Sequence, residues 1–318
     1  MLIRALLLTA LATGSGVLGA QATHFPERTV RIIVPTVPGP PPDVVARLIA
    51  EKLSLQLARP VIVENRPGAV GSIGLQAVAR APADGYTVGM LAMPYVVAPS
   101  LLPQVPYDIE SDFAPVALIN WSYAVLAVPA ASPAHSVDGL LAEAKAHPGG
   151  IKYASSGNGT PPHLAGEMLR RSAGVELVHV PYKGTPASVT ALLTGEVDFA
   201  FAAPGALAPH VVAGRVRLLA TPAPRRLAAY PDLPTLAELG HAVEVSDWQG
   251  IVAPSGTPAA RVKRLHAEIH AAVLALGERF RAIGMEPADL GPEEFGKLVR
   301  SESRKWRRIV QESAIRLD

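Results

Sequence analysis

Short apolar runs alternate with amphipathic stretches in the N-terminal third of the chain. Apolar runs occupy 30–35, 61–65 and 86–92, and apolar positions recur at helical spacing in 43–57 and 73–80. The short runs are typical of buried strands, whereas the helical spacing predicts amphipathic helices. The resulting order of strand, helix, strand, helix and strand predicts a doubly wound parallel sheet.

A second α/β module follows, and a helical tail completes the chain. The strands of this module are predicted at 116–128, 151–154, 177–180 and 197–202, and its helices at 136–147, 163–172 and 186–194. Beyond it, the pattern predicts a loop with a short helix at 231–240, an extended segment at 243–253, and helices at 258–276, 278–283 and 292–311.

Two modules of this kind predict an α/β fold with two lobes joined by two chain crossings, which form a hinge. We assign residues 23–121 and 247–318 to lobe 1, and residues 122–246 to lobe 2. Ligands of open α/β sheets bind outside the carboxyl ends of the strands. We therefore expect a ligand site in a crevice between the lobes.

The N-terminus has the pattern of a secretory signal peptide over residues 1–22. A basic start, Met1–Arg4, is followed by the apolar segment 5–18 and by Ala20-Gln21-Ala22, which matches a cleavage site. An apolar segment of this length is too short to span a bilayer as a helix. We therefore expect the protein to be exported to the periplasm.

Composition excludes several classes of function. The chain contains no cysteine, which excludes disulfides, thiolate catalysis, cysteine-ligated metals and a lipid-anchoring cysteine. Hydrophobic residues make up 49% and charged residues 18%, which predicts a folded protein with a large core. Lys and Arg number 29 against 27 Asp and Glu, so no basic surface for nucleic acid is indicated.

The segment 153–168, YASSGNGTPPHLAGEM, is the most informative for chemistry. A short strand pattern leads into a small polar loop, and Pro161 and Pro162 then begin a helix, where proline fits the first turn. Free N–H groups at a helix N-terminus, together with the hydroxyls of Ser155, Ser156 and Thr160, suit an anion such as a carboxylate. The alternative is a tight turn with a good N-cap.

Several blocks of the chain resemble one family in order and spacing. They are FPERTVRIIVPTVPG (25–39), ARLIAEKL (46–53), VIVENRPGA (61–69), ADGYT (83–87), DFAPVA (112–117), SSGNGTPPHLAGE (155–167), HVPYKG (179–184) and WQGIVAPSGTP (248–258). They resemble the Bug-type receptors, the extracytoplasmic solute-binding proteins of tripartite tricarboxylate transporters. The blocks cover nearly the whole chain after residue 22, so the resemblance is far more specific than a single motif.

This resemblance implies a two-lobed periplasmic-binding-protein fold of the Venus-flytrap, type II class. It implies a small carboxylate ligand, whether tricarboxylate, dicarboxylate, amino acid or aromatic acid, held by backbone N–H groups, hydroxyls and ordered waters. It also implies a monomer that delivers the ligand to integral-membrane transporter subunits, without cofactor or metal. The family's ligand loops map onto Gly39 and Asp43, onto Ser155, Ser156, Asn158, Gly159 and Thr160, and onto Tyr182, Lys183 and Gly184.

The first-lobe loop departs from the family pattern. Pro40 replaces a glycine, and Pro41 and Pro42 follow it, so GPPPD carries N–H donors only at Gly39 and Asp43. Met93-Pro94-Tyr95 stands where the family tends to have small hydroxyl residues. We therefore expect a ligand with one carboxylate on lobe 2 and an apolar or aromatic body against Met93, Pro94 and Tyr95. The alternative is that Met93 and Tyr95 are core residues.

Four further side chains each have two interpretations. Asp43 is either a contact for a ligand amine or an N-cap, and Lys183 either pairs with a carboxylate or is a solvated turn residue. Tyr182 either contacts the ligand or packs in a turn, and Trp248 either lines the crevice or packs at the hinge.

Two other functions remain open from the sequence. Ser156 with His163 or His179 would suggest a hydrolase, although no G-x-S-x-G elbow is present. A co-receptor for a membrane signalling sensor would use the same ligand-driven closure. His163 has no Cys, His or Asp cluster at metal-ligand spacing around it, so no metal role is indicated.

Overall fold

A computed structural model describes residues 25–313, which form two β-sheets and the helices that cover them. The predicted signal peptide, residues 1–22, lies outside the described residues. The strands are β1 (Val30–Val34), β2 (Val61–Asn65), β3 (Thr87–Ala92), β4 (Phe113–Ser122), β5 (Val125–Pro129), β6 (Lys152–Ser155), β7 (Val178–Pro181), β8 (Phe199–Ala202), β9 (Val216–Ala220), β10 (Asp247–Pro254) and β11 (Met285–Leu290).

The helices begin mostly at the carboxyl ends of these strands. They are α1 (Pro41–Leu57), α2 (Ser72–Ala79), α3 (Met93–Leu101), α4 (Val137–Ala146), α5 (Pro161–Ala173), α6 (Thr185–Thr194), α7 (Pro204–Val212), α8 (Ala259–Ala275), α9 (Gly277–Ala282) and α10 (Pro292–Ser313). A 3₁₀ turn at Ala69–Gly71 precedes α2. Within residues 25–313, no helix is both long and apolar enough to cross a bilayer.

The first sheet has six strands in the order β11-β4-β10-β3-β1-β2. β1 pairs in parallel with β2 and β3, as the βαβαβ pattern predicted. β10 is antiparallel to both β3 and β4, and it therefore completes this sheet from the C-terminal part of the chain.

The second sheet has five strands in the order β7-β6-β8-β5-β9. β6 pairs in parallel with β7 and β8, and β5 is antiparallel to β8 and β9. The two sheets confirm the predicted α/β architecture with two lobes. Their strands come from 30–122 with 247–290 and from 125–220, which supports our proposed lobe boundaries.

Several elements differ from the sequence prediction. The apolar stretch 116–128 divides into β4 and β5, because the chain changes sheets at 123–124. Segment 231–240 forms turns and one bridge, Thr221 to Thr235, without a helix. The helices α3 and α7 and the strands β9 and β11 were not predicted. β11 contains Pro287, which an edge strand tolerates because its free side needs no hydrogen bond.

The C-terminal helix α10 contacts both lobes. Trp306 and Val310 belong to the same buried cluster as Leu169 and Val243, which lie in lobe 2. Arg171 also donates to the backbone carbonyl of Glu312. The sequence assigned the helical tail to lobe 1, and the structure places α10 against α3 and β4 of that lobe and also against α5 of lobe 2.

A close approach between α5 and β6 depends on glycine at position 166. A Cβ added to Gly166 would overlap the ring of Tyr153, and Tyr153 is fully buried. Gly139 in α4 serves as the control, because a Cβ fits there: its nearest neighbour would be Ser136 Oγ at 3.4 Å.

We predict that Gly166→Ala destabilises the protein by about 1–3 kcal/mol, because overpacking displaces the Tyr153 ring. Gly139→Ala should be neutral or stabilise by up to about 1 kcal/mol, since alanine restricts the unfolded chain more. Urea unfolding followed by circular dichroism measures both free energies. Equal effects of the two substitutions would contradict the close approach.

Candidate functional site

A chain crossing brings the carboxyl-end edges of the two sheets together. β4 runs in the same direction as β3 and ends at Ser122, and so Ser122 lies on the carboxyl-end edge of the first sheet. Val125 begins β5 and pairs with Ala202, the last residue of β8. The crossing at 123–124 therefore joins the carboxyl-end edges of both sheets, where α/β folds place their ligands.

The first-lobe loop uses its remaining donors internally. Gly39 N–H donates to Asp43 Oδ2 at 3.0 Å, and Asp43 N–H donates to Pro40 O at 2.9 Å. Helix α1 begins at Pro41 after Pro40 as N-cap, so Asp43 is not the N-cap and that interpretation is wrong. The loop is therefore fixed by Asp43 from inside the first turn.

Two side chains also donate hydrogen bonds to the carboxylate of Asp43. Arg47 Nε donates to Oδ2 at 2.9 Å, and Asn65 Nδ2 donates to Oδ1 at 2.8 Å. Burial raises the pKa of Asp43, but the hydrogen bonds from Arg47, Asn65 and Gly39 outweigh this, and the net pKa is lowered. Only 2% of Asp43 is exposed, so its carboxylate organises the loop and leaves little for a ligand amine.

The expected apolar wall lies largely in the core. Met93 is fully buried, and the ring of Tyr95 packs against Gly71. Burial raises the pKa of Tyr95, the charge of Asp247 raises it further, and a hydrogen bond with Thr36 opposes the rise. Thus the hydroxyl end of Tyr95 lies near Thr36 and Asp247, and Pro94 stays partly exposed.

The second-lobe loop at the end of β6 is tied together by its own polar groups. Ser155 Oγ donates to Gly157 O at 3.1 Å, and Gly157 N–H returns a bond of 3.1 Å to Ser155 Oγ. Thr160 Oγ1 also donates to Gly157 O, at 2.6 Å. Ser155 is fully buried, so its hydroxyl serves the loop.

Two stacked imidazoles support this loop from below. His163 and His179 lie 4.1 Å apart, centroid to centroid, with planes 14° apart, and Tyr153 stacks on the other face of His179 at 4.9 Å. His163 Nδ1 accepts a bond of 3.1 Å from Gly159 N–H, and His179 Nε2 lies 2.7 Å from Ser155 Oγ. Burial, and then the neighbouring His163, lower the pKa of His179 to about 3, so this imidazole is neutral at physiological pH.

The expectation of free amides along this loop is therefore wrong for several groups. Pro161 and Pro162 have no N–H, and the amides of Gly157 and Gly159 are bonded within the lobe. The loop side chains with exposed surface are Ser156, Asn158 and Thr160.

The loop after β7 lies beside this one. Tyr182 N–H donates to Ser155 O at 3.1 Å, and Gly184 N–H donates to Ser156 O at 3.3 Å. Gly184 has a positive φ of 94° and is the N-cap of α6. Lys183 is exposed at this helix start, whereas Tyr182 is half-buried against the core of lobe 2. The N-termini of α5 and α6 thus lie together with Lys183 at the carboxyl-end edge of the second sheet.

The hinge residues differ in role. Trp248 is fully buried, edge-on to Phe295 of α10 at 5.5 Å, which favours the hinge-packing interpretation. Asp247, which the sequence analysis missed, is partly exposed at the start of β10. Burial raises the pKa of Asp247 to about 7, although hydrogen bonds from Trp248 N and Gln249 oppose the rise. The sequence signal for Asp247 is a single acidic residue at the start of an otherwise apolar strand.

Other concavities and clusters lie elsewhere. A groove of about 660 Å³ on lobe 2 runs between β9 and segment 229–234, and its lining includes Arg217 and Tyr230 but none of the predicted ligand residues. In the part of the chain that the structure describes, no group of three or more His, Asp or Glu side chains could hold a metal ion.

Comparison with known proteins identifies the family. The family described as "Tripartite tricarboxylate transporter family receptor" matches residues 45–315. A protein from the tcbD-tcbE intergenic region of Pseudomonas sp. (strain P51) is 38% identical over 94% of this chain and 90% of its own length. BugT of Bordetella pertussis is 34% identical over 96% of each chain.

Solved structures agree with this assignment. The periplasmic binding protein BugD is 32% identical with a TM-score of 0.78, over 92% of this chain and 99% of its own. R. palustris Rpa4515 with adipate gives 32% identity and a TM-score of 0.81 over the same shares. MatC from Rhodopseudomonas palustris with bound malate gives 29% and 0.77, over 90% of this chain and all of its own. The resemblance noted in the sequence is confirmed, and the chain belongs to the receptor family of the tripartite tricarboxylate transporters.

Proposed function

We propose that this protein is a periplasmic receptor that captures a small organic carboxylate between its lobes and delivers it to membrane transporter subunits. The observation that carries the proposal is the convergence of the α5 and α6 N-termini with Lys183 at the crevice edge of lobe 2. The structures of two relatives, with adipate and with malate, support a carboxylate as the ligand class.

The physical basis is the stabilisation of an anion by fixed dipoles. Helix N-termini carry partial positive charge and favour a carboxylate there. Lys183 adds a full charge, and the hydroxyl of Ser156 with the side chain of Asn158 adds polar surface at the same edge. Because the loop is held by the imidazole pair, little ordering entropy is lost when the ligand binds.

Lobe 1 contributes differently. Its proline loop is closed by Asp43, and Met93 lies in the core, so we no longer include these two in the ligand contacts. Groups with exposed surface at this edge include the side chain of Thr36 and Pro94, and the hydroxyl end of buried Tyr95 lies near Thr36. We propose that closure brings this edge onto a ligand already seated on lobe 2.

Export, oligomeric state and partners belong to the same proposal. The signal-peptide pattern at 1–22 supports the periplasm, and the family supports membrane transporter subunits as partners of a monomeric receptor. A co-receptor for a signalling sensor would use the same crevice with a different membrane partner.

A hydrolase is the weaker alternative. The serine that bonds His179 is Ser155 rather than the expected Ser156, and Ser155 has no exposed surface to meet a substrate. The family match and the solved relatives are solute-binding receptors, so we propose no catalytic activity.

We predict that at least one small organic acid raises the melting temperature in a thermal-shift panel containing adipate, malate, citrate and benzoate. Lys183→Gln should weaken its binding by about 2- to 5-fold, as expected for a solvent-exposed ion pair, and less at high salt. Lys152→Gln is the matched control, because Lys152 is exposed at the opposite end of β6.

Titration calorimetry of the same acid gives the affinities. If no acid in the panel shifts the transition, the proposed function fails. If both lysine variants bind as tightly as the wild type, the proposed lobe 2 site is in the wrong place.

A further prediction concerns acid stability, because the loop depends on neutral imidazoles. The pKa of His179 is about 3 in the fold against an ordinary 6.5, so the unfolded chain binds more protons between these values. Stability should therefore fall as pH decreases from about 6.5 toward 3. His179→Gln, which keeps a polar group that does not titrate, should show a shallower fall in melting temperature.

Differential scanning fluorimetry from pH 7 to 4 makes this comparison, with His135→Gln as a control at an exposed position. Parallel curves for the wild type and His179→Gln would show that the imidazole does not titrate with folding. Such a result would remove the imidazole pair from our account of the loop.

A further inference from the structure

A carboxylate stands where the two chain crossings lie side by side. Asp247 begins β10 and pairs with Ser122, the last residue of β4. Two residues further along β10, Gln249 pairs with Ala92, the last residue of β3. The strand register therefore places Asp247 beyond the end of β3, on the carboxyl-end edge of the first sheet and at the hinge end of the crevice.

The neighbours of Asp247 hold its side chain without neutralising it. Trp248 N–H donates to Oδ1 at 2.9 Å, and Gln249 Nε2 donates to Oδ2 at 3.0 Å. Gln249 is itself held by Asn120 Nδ2, which donates to Gln249 Oε1 at 2.5 Å. Both Asn120 and Gln249 are fully buried, so this chain of amides fixes the direction of the carboxylate.

No basic side chain among residues 25–313 forms a salt bridge with Asp247. The basic group at the same hinge, Arg225, pairs with Glu286 at 2.6 Å. Asp43, another acid at this edge of the sheet, is paired with Arg47 at 2.9 Å. Asp247 is therefore a partly buried acid without a salt-bridge partner among the described residues.

Tyrosines are among the groups near this position. Tyr95 of α3 feels the charge of Asp247, and Tyr107 lies behind it, where its hydroxyl donates to Tyr95 O at 3.2 Å. Tyr123 follows Ser122 in the other crossing and lies near Arg225 and Glu286. None of these neutral phenols compensates the negative charge of Asp247.

We propose that Asp247 forms a subsite for a positively charged nitrogen of the ligand, so that the captured acid also bears an amine. This inference rests on the proposed function, in which the carboxylate of the ligand is seated on lobe 2. The ligand would then lie across the crevice, with its anionic end toward Lys183 and its cationic end toward the hinge. An ammonium supplies the missing counter-charge, whereas a second carboxylate would meet like charge.

The same geometry makes binding depend on pH in a defined direction. The pKa of Asp247 is about 7, so near neutral pH a fraction of the molecules carries a protonated acid. An ammonium ligand stabilises the ionised form, and so its binding releases a proton and tightens as pH rises from 6 to 8. A dicarboxylate that shares a proton with Asp247 would instead bind more weakly as pH rises from 6 to 8.

Titration calorimetry on the full-length mature protein with matched ligands tests this subsite. The pairs are 6-aminohexanoate against adipate, which differ at one end of the same chain length, and L-glutamate against glutarate, which differ by one amine. We expect at least one amine-bearing member to bind about 10- to 100-fold more tightly than its partner at pH 8, as for a charged hydrogen bond. In Asp247→Asn this preference should shrink to about twofold or less.

Asp84→Asn is the matched control, since Asp84 pairs with Arg28 beside the amino end of β3, away from the crevice. Equal affinities within each pair, or tighter binding of the diacid in the wild type, would overturn the subsite and leave the proposed function standing. If Asp247→Asn fails to fold, the pH trend of the wild type decides, and tighter binding at pH 6 than at pH 8 overturns the inference. If none of the four ligands nor any acid of the earlier panel binds, the proposed function fails, and this inference fails with it.

Discussion

The pairing of Ser122 with Asp247 is the constraint on which the rest of the structure depends. It brings the outward and the return crossing together at one edge of the first sheet. Since β5 starts at the carboxyl end of β8, the same edge adjoins the corresponding edge of the second sheet. Two sets of loops that are distant in sequence therefore lie at one junction between the sheets.

The two sides of this crevice are built on different principles. In lobe 2, two stacked imidazoles fix the shape of the loop that leads into the α5 N-terminus, and the imidazole of His179 is neutral. Lobe 1 replaces a flexible glycine loop with three prolines, and the carboxylate of Asp43 absorbs the donors that remain. One side is thus organised to receive negative charge, while the other is rigid and retains one acid, Asp247, without a cation.

The C-terminal helix packs against both lobes. Trp306 and Val310 pack with residues of both lobes, and Lys305 lies 3.6 Å from Glu244, just before the return crossing. The apolar cluster extends from one lobe into the other. Exposed salt bridges such as that between Lys305 and Glu244 contribute little to the free energy of unfolding. The helix therefore links the two lobes mainly through apolar contacts.

The sequence by itself determined the α/β class, the parallel β1–β3 unit and the loops that carry Ser156, Asn158 and Lys183, because apolar periodicity and turn residues are local signals. Only the tertiary structure decided which polar groups are available. Ser155, Gly157 and Gly159 form bonds within lobe 2, and Met93 and Trp248 are buried by helices that precede or follow them far along the chain. Asp247 acquires its significance from strands β3 and β4, more than a hundred residues away, and no local pattern encodes that register.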